Sequence, residues 1–138
     1  MSGVTDLSEL LRSASPVLTD PEYVFAIVAD ESRTQDLEAI CIFREKEAVT
    51  VICPKSNAEA AGLTFDGVYR EIVLNVHSSL QAVGFLAAVA DALSREKIPC
   101  NVVSAYYHDH VFVPAEQATH AVETISALAD SNPKRRTS

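Results

Sequence analysis

The amino-acid sequence predicts an α+β fold, an antiparallel sheet covered by helices, and three observations carry that prediction. Short runs rich in β-branched and aromatic residues recur between Glu22 and Val113, bounded by polar turn residues. Two longer stretches, 80–96 and 114–129, place apolar residues three and four positions apart, the period of an amphipathic helix. In the second half these pieces follow the order β-α-β-β-α, whereas the first half offers three strands and only small helices.

Taken in order, Asp6 and Glu9 form a helix start signal, and Leu7, Leu10, Leu11 and Ala14 share one face of a short helix that Pro16 ends. Glu22 to Ala29 is nearly all apolar and reads as a strand. Ala39 to Arg44 and Ala48 to Cys53 follow as two more, joined by the short link Glu45-Lys46-Glu47, and the polar stretch Asp30 to Asp36 precedes them. Ser56 and Glu59 repeat the start signal and Gly62 suits a left-handed helix end, so a short helix is expected over 57–61. After the turn Asp66-Gly67, the strand 69–76 alternates Ile72, Leu74 and Val76 inward against Glu71 and Asn75 outward. The helix over 80–96 then turns Ala82, Val83, Leu86, Val89, Ala90 and Leu93 inward. Pro99 introduces a strand over 101–107, expected to lie beside 69–76. His108-Asp109 turns the chain, His110 to Val113 returns, and Pro114 opens the last helix.

Bulk properties exclude several functions. At 138 residues, 48% hydrophobic and 22% charged, the chain has the composition of a globular protein of one unit or two small fused ones. A net charge of −8 repels phosphate backbones, so no nucleic-acid partner is expected. The basic cluster Lys134-Arg135-Arg136 falls in 132–138, which reads as a disordered tail. No apolar run is long enough to span a bilayer and the first residues lack a basic secretory leader, so no membrane partner and a cytoplasmic location are expected. Cys41, Cys53 and Cys100 stand apart in apolar stretches without CxxC spacing, as reduced thiols do.

The segment from Val76 to Pro114 carries the most information. It reads VHSSL, AVG, CNV and YHDHVFVP at His77 to Leu80, Ala82 to Gly84, Cys100 to Val102 and Tyr107 to Pro114. In these motifs the chain resembles a bacterial subgroup of the ACT-domain superfamily, the regulatory amino-acid-binding modules. The resemblance implies two intertwined ferredoxin-like units, roughly 1–67 and 68–131, although no repeat relates the two halves. The second unit's β-α-β-β-α is one strand short of the complete β-α-β-β-α-β pattern, and the first half is expected to supply the missing strand. A small-molecule sensor is implied, its ligand an amino acid, acting as a homodimer on an unknown regulated protein in trans.

Polar groups at the joins define the candidate site. A helix start at Ser78 to Gly84 presents unpaired N–H groups suited to a carboxylate, although Ser79 is equally suited to an ordinary helix cap. Gly84 early in a helix implies something packed closely over it, either a ligand or a neighbouring element. Asp109 suits either a turn residue or an acceptor for an ammonium group. In tandem ACT arginine sensors an aspartate at the matching turn contacts ligand, so the resemblance implies the same role for Asp109. The histidines flanking it are absent from those sensors, and ligand identity does not carry over. The residues assigned to the ligand are Ser78, Ser79, Leu80, Val83, Gly84, Asn101, His108 and Asp109.

Two alternatives stay open beside the sensor. The same groove suits a pure protein-interaction module. A small hydrolase or transferase would centre on His77, Ser78 and Asp109, but no GxSxG, P-loop or GxGxxG motif accompanies them. His77, His108 and His110 have weak metal-ligand spacing, so neither a metal nor another cofactor is expected.

Overall fold

The computed structural model describes residues 6–76 and 78–130. In chain order the elements are α1 (Leu7–Ser13), β1 (Pro16–Leu18), β2 (Tyr23–Val28), β3 (Cys41–Arg44), β4 (Val49–Pro54), α2 (Lys55–Ala60), β5 (Tyr69–Leu74), α3 (Phe85–Arg95), β6 (Asn101–Ser104), β7 (Asp109–Pro114) and α4 (Ala118–Asp130). They fall into two compact units, one running from Asp20 to Arg70, the other formed by the chain up to Thr19 together with the chain from Glu71 onward. The fold is α+β, and the two units interleave along the sequence.

In the unit from Asp20 to Arg70 the strand order is β3-β4-β2, with Tyr69 at the start of β5 paired to Tyr23 of β2. All these pairings are antiparallel. Alternation places Val24, Ala26 and Val28 of β2 beside Val51 and Cys53 of β4 in a core that Leu37 and Ala58 complete. A 3-10 turn at Glu31–Thr34, capped by Asp30, stands in the polar stretch expected as loop. Helix α2 ends as expected: Gly62 is left-handed, and the Leu63 N–H donates to the Ala58 carbonyl at 2.9 Å. Its start differs from expectation, for the helix begins at Lys55 after Pro54 and no side chain caps it.

The other unit holds β1-β5-β7-β6 in that order. β1 supplies the strand that β-α-β-β-α lacked, pairing antiparallel with β5 through Pro16↔Leu74, Val17↔Val73 and Leu18↔Ile72. β7 lies between β5 and β6, which corrects the expected adjacency of 69–76 and 101–107. The reason lies in the hairpin: among the described residues β6 pairs only with β7 and takes the sheet edge, leaving the longer apolar strand to meet β5. Ile72 and Leu74, Val111 and Val113, Phe85, Val89 and Leu93, and Leu10 and Ile125 form one core between sheet and helices.

Helix α1 starts as its sequence dictates, the Asp6 carboxylate accepting from the Glu9 N–H at 3.1 Å. Helix α3 does not. It begins at Phe85, and Gly84 precedes it in the left-handed conformation at φ 89°. Residues 79–82 instead form a turn closed by the Ala82 N–H to the Ser79 carbonyl, with the Ser79 hydroxyl accepting from the Gln81 N–H. Val83, expected inside, is 83% exposed in consequence. The last helix also starts later than expected, because Pro114 closes β7 and a 3-10 turn at Ala115–Gln117 intervenes.

Candidate functional site

A cavity of about 130 Å³ opens between the start of α3 and the first residues of β7, within the unit that holds both. One wall is the helix N-terminus. Gly84 brings no side-chain cap, and the first helical bond runs from the Ala88 N–H to the Gly84 carbonyl at 2.9 Å. The amides of Phe85, Leu86 and Ala87 thus have no acceptor inside the helix, and the helix dipole gives this end a partial positive charge. All three residues line the cavity. The left-handed glycine produces this exposure, since its φ turns the chain into α3 without a capping side chain. A Cβ there would also stand 3.4 Å from Leu7 Cδ2.

Asp109 forms the opposite wall. It is only 4% exposed, and its Oδ2 accepts from the Ser78 hydroxyl at 2.8 Å. No buried side-chain oxygen or nitrogen among the described residues lacks a partner, so the second carboxylate oxygen of Asp109, which has no such bond, opens to the cavity. A buried carboxylate facing uncapped helix amides makes a site with an acceptor at one end and donors at the other. That polarity matches a zwitterion.

Of the eight residues assigned from sequence, Ser78, Ser79, Leu80, Gly84 and Asp109 line this cavity, while Val83, Asn101 and His108 do not. Asn101 is misplaced by strand parity. It pairs with Phe112, so it shares a sheet face with His110 and Phe112, opposite the face of Asp109 and Val111. Ser104, paired with Asp109, reaches the cavity in its place. His108 serves the β6–β7 turn through its backbone, its carbonyl accepting from the Ala105 N–H at 3.0 Å. His77 lies outside the described residues, so the assembly of His77 with Ser78 and Asp109 does too. Among the described residues no three His, Cys, Asp or Glu side chains converge as metal ligands, and no helix is long and apolar enough to cross a membrane.

A second polar cluster lies on the reverse face of the same sheet. Glu71, expected outward, is 8% exposed. Its Oε2 is 2.8 Å from His110 Nδ1 and its Oε1 accepts from the Thr19 hydroxyl at 2.8 Å. The hydrogen bond from His110 is the main reason its carboxyl sits below the usual glutamate range. Burial opposes that shift, and the Thr19 bond and the charge on His110 reinforce it. A carboxyl depressed in the folded state stabilises above its unfolded pKa of about 4.3, and that contribution is lost as pH falls through the lower folded value. Glu71→Gln is therefore expected to lower stability near neutrality and to flatten the loss of stability below about pH 4.3. Denaturant unfolding from pH 7 to 3 measures both, and parallel curves for the two proteins would show that Glu71 is not the group responsible.

Comparison with known proteins accords with this architecture. The sequence matches the ACT domain twice, over residues 2–70 and 68–127. It is 40% identical to a Vibrio cholerae protein of unknown function, described as a possible transport protein, over 89% of this chain and 95% of that one, with a TM-score of 0.83. An Agobacterium tumefaciens protein shares the fold at 15% identity and TM-score 0.68, over 83% of this chain and 87% of that one. So does the regulatory subunit of aspartate kinase from Thermus flavus, at 10% identity and TM-score 0.66 over 85% and 98%. No curated protein matches in sequence. The fold is thus a pair of ferredoxin-like units. The chain belongs to the ACT-domain family, with two ACT domains in tandem.

Proposed function

We propose that this protein is an amino-acid sensor whose ligand occupies the cavity between α3 and β7. One observation carries the reading: the uncapped amides of Phe85, Leu86 and Ala87 and the buried carboxylate of Asp109 line the same small cavity. The ligand carboxylate meets the amides and its ammonium meets Asp109. The Ser78 hydroxyl fixes the aspartate in place. The protein acts in the cytoplasm as a homodimer and passes the bound state to a separate regulated protein. Exposed edges support self-association, for β3 carries Ile42 and Phe43 largely in solvent.

Isothermal titration with the common amino acids tests the reading. At least one is expected to bind with a dissociation constant below a millimolar. A ligand at 100 times that constant adds about 2.7 kcal/mol to stability, which a thermal shift records independently. If none binds at millimolar concentration, the exposed Val83, Tyr106 and Tyr107 favour the reading as a protein-interaction module.

A further inference from the structure

We propose that the cavity selects amino acids of the size of alanine or serine and rejects larger ones, an inference that rests on the amino-acid reading of the same site. The volume is the first argument. At about 130 Å³ the cavity, which is partly open to solvent, is slightly smaller than the closed cavity of about 150 Å³ that holds one benzene molecule. Benzene has six non-hydrogen atoms, as alanine has; serine has seven, leucine nine and lysine ten.

The walls are the second argument. Phe85 is 2% exposed and packed into the core with Val89 and Leu93, so it cannot retreat to admit a longer side chain without opening that core. The sheet side is closed by Asp109, also buried, whose bond from Ser78 resists displacement. Chemistry narrows the class further. Asp109 in a chain of net charge −8 disfavours a ligand with a second carboxylate. Ser104, opposite Asp109 in the β6–β7 register, brings a hydroxyl to the same wall, where it can bond an ammonium or a serine hydroxyl.

The experiment titrates the full chain calorimetrically with glycine, L-alanine, L-serine, L-leucine and L-lysine. Alanine or serine is expected to bind at least tenfold tighter than leucine and lysine. The variant Ser104→Leu, at an exposed position on an edge strand, fills the cavity and is expected to abolish alanine and serine binding with an unchanged circular dichroism spectrum. Leucine or lysine binding as tightly as alanine overturns the size selection while leaving the amino-acid reading intact. Alanine binding undisturbed in a folded Ser104→Leu overturns the selection by placing the ligand outside this cavity. Absence of binding by any amino acid at millimolar concentration removes the sensor reading itself, and the selection with it.

Discussion

Asp109→Asn is expected to weaken binding of the amino-acid ligand by about 10- to 150-fold, the equivalent of roughly 1.5 to 3 kcal/mol for a hydrogen bond to a charged group. Asparagine keeps the size of the side chain and, through its carbonyl oxygen, the bond from the Ser78 hydroxyl. What it removes is the negative charge facing the ligand ammonium. The effect is large because Asp109 is 4% exposed, so water screens the charge poorly and cannot replace it. The N–H groups at the start of α3 are untouched, so the residual affinity reports the carboxylate end alone. Titration of wild type and variant with the same amino acid measures the difference, and equal affinities would move the ammonium away from Asp109.

The second large effect concerns stability. Leu10→Ala is expected to cost about 2 to 5 kcal/mol, the range for emptying a fully buried leucine site. Leu10 is 0% exposed and belongs to the core made by β5, β7, α3 and α4. Chemical denaturation gives the magnitude, and hydrogen exchange gives its place. Protection is expected to fall in α4 and α3 and to hold in β2 and β4, because α1 packs in the unit that begins again at Glu71. Loss of protection confined to β2 and β4 would instead assign the opening helix to the unit from Asp20 to Arg70.

Local signals in the sequence located most of the elements. Asp6 caps α1, Gly62 ends α2, and the β-rich runs became β2 to β7 within a few residues, because caps, positive φ and period-two alternation act over neighbouring positions. Asp109 stood out through the family resemblance, for its local signal fitted an ordinary turn residue equally well; in the structure it opens β7, paired with Ser104. The start of α3 was not. Leu80, Ala82 and Val83 continue the helical apolar period straight through a turn, and only the backbone of Gly84 shows that the helix has not yet begun. Ser104 was missed and Asn101 named instead because parity along β6 depends on the register of the hairpin, fixed by the turn 105–108 and not by residue type. Glu71 was out of reach. Alternation assigns it to solvent, and one of its partners, Thr19, is 52 positions away.

The alternation in β7 ties the register of the strand to the chemistry that lines the cavity. Asp109 and His110 are neighbours in sequence but serve opposite sides of the sheet, one facing the cavity and the other facing Glu71. Inserting or deleting one residue in the turn 105–108 slips the strand by one position and exchanges the two faces. An imidazole would then stand where the carboxylate stands now, and the cavity would present donors at both ends. A site with that lining suits an anion rather than a zwitterion. Such a slip also carries Val111 and Val113 out of the core, so the register that keeps this strand folded also fixes the charge of the group that lines the cavity.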